Sequence, residues 1–465
     1  MLISNKLTLT LPAFTTTAVK LIPRYFVCIL SKTKKLSAAL FFIALSAASY
    51  SSAVELNIAT VNNGHMIEMQ KLTSEFEKAY PDITLKWNIY NEGSLRMRAI
   101  ADIASGGGRY DVLTIGMYEA PIWAERDWLQ PLDFDSSYDM NDLLPSVRDG
   151  LSYNGKLYAA PFYGESSMLM YRKDLMDKAG ITLDERPTWR SIYYAAQSIH
   201  DPENNLYGIC LRGKPGWGDN MALITTMVNS FGGQWFNMSW TPQLESTPWQ
   251  EAVSFYIDLL TSYGPPNSEK NSFNEILQLA RNGQCGMWID ASIAASFLTD
   301  GNQSDYADNW AFAQAPYKTT SSGANWLWAW SLAISKKSQN VEAAKTFISW
   351  ATSKDYIKLV ASKNGWANIP TGTRTSTYQQ EEFLSVAGDF AKAELEAMRT
   401  ADPENSTLLP SPYTGVQFVS IPEFVAIAGA TGQQISEALE GKITVQQALS
   451  RSQTIALREM RRSGN

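Results

Sequence analysis

Val54, Leu56 and Ile58 alternate with Glu55 and Asn57 before a polar turn at Asn62-Asn63-Gly64, the period-two pattern of a half-buried strand. Met66, Met69, Leu72, Phe76 and Tyr80 then recur at helical spacing until Pro81-Asp82 breaks the pattern, and Ile83, Leu85, Trp87 and Ile89 alternate again. This is a βαβ unit. A helix over Ser94 to Ala104 stops at Gly106-Gly107-Gly108, and Val112 to Ile115 supplies a short buried strand, so the first domain reads as α/β with a mostly parallel sheet.

Asn154-Gly155, between Leu151-Ser152-Tyr153 and Lys156 to Ala160, is a hairpin signal. It leads into Pro161-Phe162-Tyr163-Gly164-Glu165, where an interdomain crossing is expected. A second α/β pattern follows: a helix opening at Thr188, a strand over Tyr207 to Leu211, and helices over Asn220 to Phe231 and Pro248 to Tyr263. The box Ser272-Phe273-Asn274-Glu275 caps a helix to Arg281, and Gly286 to Ile289 forms the next strand. Trp310 to Pro316 and Trp326 to Ile334 read as a return across the boundary, Val341 to Ser362 as one long amphipathic helix, and Asn368 to Thr373 as a third crossing. The remainder is mainly helical: Gln380 to Thr400, Ser420 to Ala428, Ile435 to Leu439 and Thr444 to Arg461.

The first 53 residues carry six bases (Lys6, Lys20, Arg24, Lys32, Lys34, Lys35) and no acid, followed within that stretch by the apolar run Leu36 to Ala48 and the small residues to Ala53. This predicts an export signal cleaved near Ala53, with translation starting near residue 30. The run is about 13 residues, short of the roughly 20 that span a bilayer. Without this segment the formal charge moves from −7 to about −13, which disfavours nucleic acid as a partner. Cys210 and Cys285 remain, each in a short apolar run; after export they could pair, or stay as two buried thiols.

Fifteen tryptophans accompany only two histidines, and several lie beside carboxylates or amides, as in Trp217-Gly218-Asp219-Asn220 and Trp288-Ile289-Asp290. Flat rings stack on the C–H faces of a polyhydroxylated ligand while carboxylates and amides take its hydroxyls, so the pattern suits a sugar or polyol. His65 and His200 have no cysteine or histidine neighbour and read as structural or surface residues; no metal and no cofactor are expected. Walker, GxGxxG and GxSxG motifs are missing, which argues against nucleotide chemistry.

Ile58-Ala59-Thr60-Val61-Asn62-Asn63-Gly64, Tyr110 to Gly116, Pro161-Phe162-Tyr163-Gly164-Glu165-Ser166-Ser167, Cys210 to Gly218, Gly286-Met287-Trp288-Ile289-Asp290-Ala291 and Trp328-Ala329-Trp330-Ser331-Leu332 together make the chain from Val54 onward resemble the extracellular solute-binding proteins of bacterial ABC importers, of the maltose-binding type and the sorbitol/mannitol branch. The resemblance implies a two-lobed periplasmic binding protein fold of type II, with three interdomain crossovers and a ligand cleft between α/β lobes. The lobes would be 54–162 with 312–368 and 163–311 with 369–465. It also implies a periplasmic monomer that captures a sugar alcohol or monosaccharide and presents it to a membrane permease.

Open α/β sheets bind ligands at their strand ends. On that basis the expected contacts are Asn63 and Glu119 from the first lobe, Tyr163, Glu165, Trp217, Asp219, Trp288 and Asp290 from the crossing and second lobe, and Trp330, Asn368 and Arg374 from the return segments. Acids and amides would meet hydroxyls, Arg374 would donate, and Trp217, Trp288 or Trp330 would stack. Trp288 reads equally as core, Glu165 as a cap, and Arg212 with Lys214 as a solvated loop. Replacing Asp290 or Glu119 by Ala is expected to weaken binding with little change in ligand-free stability. The competing reading, a secreted glycoside hydrolase, would recast two of Glu119, Glu165, Asp219 and Asp290 as acid and nucleophile.

Overall fold

The computed structural model describes residues 53–463, and the expected signal segment lies outside them apart from Ala53. Among the described residues the chain forms, in order, the strands β1 (Val54–Val61), β2 (Ile83–Tyr90), β3 (Val112–Ile115), β4 (Leu129–Gln130), β5 (Ser152–Tyr153), β6 (Lys156–Leu157), β7 (Ala159–Glu165), β8 (Ser167–Arg172), β9 (Met287–Ala291), β10 (Trp310–Gln314) and β11 (Trp328–Ser335). Among the described residues no helix is long and apolar enough to cross a membrane.

The first lobe is built on a sheet of order β2-β1-β3-β11-β4, with β7 also pairing β11. β1 runs parallel to β2 and β3, but β11 is antiparallel to β3, β4 and β7, so the sheet is mixed where a mostly parallel one was expected. The reason is topological: β11 enters from the cleft end, where Trp328 and Trp330 lie, and runs back against β3. Buried side chains of β1, β3 and β11 pack against helices on this lobe, with Phe76, Trp87, Phe347 and Trp350 in ring-to-ring contact.

The second lobe has an antiparallel sheet of order β10-β8-β9. Tyr207 to Leu211 is not a strand; single parallel bridges, Tyr207 to Cys285 and Cys210 to Trp288, lay it beside β9. A Cys210–Cys285 disulfide fastens the two segments. Thr188 and Ser272 both form reciprocal capping boxes, and Asn154 and Gly155 both take left-handed φ in the β5–β6 turn.

Two helix boundaries differ from the pattern. The stretch from Val341 is two helices, Val341–Ala351 and Lys354–Asn364, because Ser353 turns out of the helix and accepts Tyr356 N–H as a cap at 3.0 Å. Conversely, the two segments expected at 420–428 and 435–439 form one helix, Phe424–Leu439; Asn220 donates to Gly432 O at 3.0 Å, holding it against the second lobe.

β7 lies in the first sheet and β8 in the second, so the first crossing is at Ser166; β10 and β11 put the second between 315 and 327. The boundaries expected at 162/163 and 311/312 cut through β7 and β10. The third crossing follows Arg374, later than 368/369, since Thr371 O accepts Gly164 N–H and Thr373 O accepts Leu144 N–H, both at 2.8 Å. Hydrophobic alternation marks a strand but not the sheet it joins. The crossings are stitched together: Ser166 Oγ donates to Trp326 O, Asn325 Nδ2 to Ser167 O, and Ser292 N–H to Ser166 O. Buried Glu394 accepts from Ser292, Thr371 and Tyr378 hydroxyls, and burial raises its pKa. Gly164 and Gly372 meet so closely that a Cβ on Gly164 would lie 2.1 Å from Gly372 O.

Candidate functional site: an arginine and tryptophan cleft

A cavity of about 560 Å³ opens between the lobes, its walls drawn from both and from the crossings. Asn63 follows β1 by two residues and caps the helix Gly64–Lys71 by accepting Met66 N–H; its amide donates to Tyr163 Oη at 2.8 Å. Asn91 caps the helix Glu92–Ala104, which sets Glu92 in the first turn and Arg96 one turn on. Arg96 donates to Glu92 at 3.0 Å and to buried Glu119 at 2.6 Å, and its guanidinium stacks 4.4 Å from the ring of Trp217 and 5.5 Å from Trp330. Trp217 comes from the opposite lobe. Trp217, Trp328 and Trp330 are linked edge to face at 5.9 and 5.6 Å, and a side chain at Gly116 would collide with Trp328.

The second lobe repeats this construction. Arg212, buried, donates through Nε and Nη2 to Asp290 at 2.8 and 2.6 Å and through Nη1 to Gly218 O at 2.8 Å, which fixes the loop carrying Trp217 and Asp219. Asp290 also accepts Trp288 Nε1–H at 3.0 Å. Burial pulls the Arg212 pKa down, but Asp290 more than offsets it and the net shift is upward; Arg96 is raised in the same way by Glu119. Each arginine keeps spare N–H donors, because two or three bonds leave part of its five-donor fork unused.

Burial raises the pKa of Asp219, against the Ser272 hydroxyl that donates to it. Burial also pushes the Glu165 carboxyl up to about 8, opposed by Arg212 and reinforced by Asp290, Glu92 and Glu394. His65 is held down at about 4 by burial, so it is neutral at physiological pH.

Of the residues expected from sequence, Asn63, Tyr163, Glu165, Trp217, Asp219 and Trp330 line the cavity. Five do not. Glu119 and Asp290 stand behind Arg96 and Arg212 as their counter-ions; Trp288 is fully buried against Phe273. Asn368 donates to Asn364 O at the end of the helix Lys354–Asn364, away from the cavity. Arg374, 1% exposed, donates to Tyr138 O and Thr352 O at 3.0 Å and pairs with Asp142, which ties the third crossing to the first lobe. Arg96, Arg212, Glu92, His65, Trp326 and Trp328 line the cavity without having been singled out as contacts. Only the Asn91 cap with Glu92 and Arg96 at i, i+4 signals any of them locally; the ion pairs join residues 23 and 78 positions apart.

The same architecture occurs in solved structures. A solute-binding protein of an ABC transporter from Agrobacterium vitis, crystallised with bound D-mannitol, superposes with a TM-score of 0.87 at 54% identity, covering 89% of this chain and 99% of that one. A ribitol complex from Agrobacterium radiobacter shares the fold at 22% identity and a TM-score of 0.76, over 87% of this chain and 98% of its own. The mannitol-binding protein of Pseudomonas aeruginosa is 50% identical over 413 residues, 89% of this chain and 94% of that protein. The fold is the two-lobed α/β type II periplasmic binding protein fold, with the cleft between lobes. The profile of the bacterial extracellular solute-binding proteins matches residues 63–358, and the chain belongs to that family.

Proposed function

We propose that this protein captures a linear sugar alcohol, with D-mannitol the first candidate, in the Arg96–Trp217–Arg212 cleft and delivers it to the permease of an ABC importer. The observation that carries the reading is the 54% identical relative that holds D-mannitol, taken with a cleft of about 560 Å³ whose walls alternate tryptophan with hydrogen-bonding groups. Of the eleven contacts expected from sequence, Asn63, Tyr163, Glu165, Trp217, Asp219 and Trp330 belong to this reading, joined by Arg96 and Arg212. Export to the periplasm and action as a monomer belong to the same reading. The reading is one of binding: the similar proteins are solute-binding proteins, and of the four acids a hydrolase would draw on, Glu119 and Asp290 are held by arginine partners while Glu165 and Asp219 remain to meet hydroxyls.

Calorimetry of the mature chain with mannitol, glucitol, ribitol, maltose and glucose tests it. One site per chain with a Kd near 1 μM, about −8 kcal/mol, is expected for a hexitol. Heat with maltose alone, or turnover of an aryl glycoside, refutes it.

A further inference from the structure

Three buried groups on the cavity walls have no hydrogen-bond partner among the described residues. His65 sits in the first turn of the helix Gly64–Lys71, Glu165 ends β7 at the hinge, and Trp326 lies in the second crossing, so each belongs to a different segment. All three line the cavity and are at most 8% exposed. His65 Nε2 and Trp326 Nε1 are sealed from solvent with nothing to bond, and no described residue hydrogen-bonds the Glu165 carboxyl. Buried polar atoms are ordinarily paired, because an unmade bond forfeits the hydration each group had in water.

The chemistry of the three narrows what can satisfy them. An indole N–H only donates, a neutral imidazole nitrogen donates or accepts, and a protonated carboxyl does both. With Glu165 held at about 8 and His65 at about 4, both are uncharged near pH 7. A hydroxyl, which both donates and accepts, matches every one of them. Charge on the walls, not these three groups, disfavours an anion: Glu92, Asp219 and Glu275 line the same cavity, and although Lys214 lines it too, Arg96 is shared between Glu92 and Glu119 and Arg212 is paired with Asp290.

We propose that His65, Glu165 and Trp326 contact the bound ligand directly, each meeting one of its hydroxyls, and that Glu92, Asp219 and Glu275 on the same walls make the site select uncharged polyhydroxyl chains over their anionic oxidised or phosphorylated counterparts. This rests on the sugar-alcohol reading above.

The experiment is calorimetry with D-mannitol and with D-mannonate on wild type, H65L, H65Q, W326F, E165A and E165Q at pH 7, each variant first checked for a cooperative ligand-free melt. H65L and W326F should weaken mannitol binding about three- to tenfold, the loss of one hydrogen bond, and E165A at least about tenfold. H65Q and E165Q, which restore a donor and acceptor near the same place, should regain much of the loss. Mannonate should bind wild type at least 100-fold more weakly than mannitol, a measurement that needs no variant. Wild-type affinity in H65L, W326F and E165A, or mannonate binding as tightly as mannitol, overturns the proposal while leaving the sugar-alcohol reading intact. A wild-type protein that binds no alditol overturns both.

Discussion

Asp290→Ala separates a residue that touches ligand from one that supports the residue that does. The Asp290 carboxylate is fully buried and accepts four N–H groups: Arg212 Nε at 2.8 Å, Arg212 Nη2 at 2.6 Å, Trp288 Nε1 at 3.0 Å and its neighbour Ala291 N at 2.7 Å. Truncation leaves Arg212, 8% exposed, as a cation with the Gly218 carbonyl as its remaining hydrogen-bond partner, and leaves the Trp288 indole unpaired. Removing one partner of a buried ion pair costs about 3–5 kcal/mol, and the orphaned indole adds about 1 kcal/mol. At roughly 2–4 °C per kcal/mol for a unit the size of one lobe, the ligand-free melting temperature should fall by roughly 8–24 °C. That contradicts the sequence-based expectation of unchanged stability. Scanning calorimetry at pH 7 on wild type, Asp290→Ala and the double variant Arg212→Met with Asp290→Leu measures it. Replacing both charges by apolar groups of similar volume should recover most of the stability, while mannitol affinity stays low because the cleft has lost a guanidinium. An Asp290→Ala protein melting within 2 °C of wild type would show that Arg212 does not depend on the pair, and the account of the cleft given above would fail.

Other outcomes follow from the same geometry. Burial raises the Glu165 pKa from 4.5 to about 8, so between those values the unfolded chain has released a proton that the native state keeps; wild type should lose stability relative to Glu165→Gln by about 1.4 kcal/mol per pH unit as pH rises from about 5 to 8, then level off. Melts of both proteins at pH 5.5, 7 and 8.5 read this, and a constant difference refutes it. Cys210 and Cys285 are 75 residues apart, a loop whose closure is worth about 4–5 kcal/mol on the chain-entropy account; Cys210→Ala with Cys285→Ala should shift urea unfolding accordingly, and an unchanged midpoint would argue against a native bridge. Gly164→Ala would press a methyl against the Gly372 carbonyl, so a loss of about 1–3 kcal/mol is expected in the same assay, together with an altered mannitol-induced change in radius of gyration by scattering; a neutral substitution would mean that β7 and the segment leading into the third crossing separate readily.

The sequence alone determined those local elements that carry a cap or turn signal. Thr188 and Ser272 with its Glu275 partner cap their helices where a side chain meets free N–H groups three residues away, and Asn154-Gly155 turns because these residues tolerate left-handed φ. Such signals act within a turn or two of chain, so they survive without tertiary context. Four of the aromatic and acidic residues that the sequence pattern picks out, Trp217, Trp330, Glu165 and Asp219, lie together on the cavity walls. Tertiary structure decided which acids face the ligand and which serve an arginine. Glu119 and Asp290 look no different in sequence from Glu165 and Asp219, yet the first two lie behind Arg96 and Arg212 while the latter two line the cavity. Likewise β10 and β11, separated by 13 residues, join different sheets. A carboxylate's role depends on whether a cation reaches it through space, and a strand's sheet on which edge is open when it arrives; neither is a property of neighbouring residues.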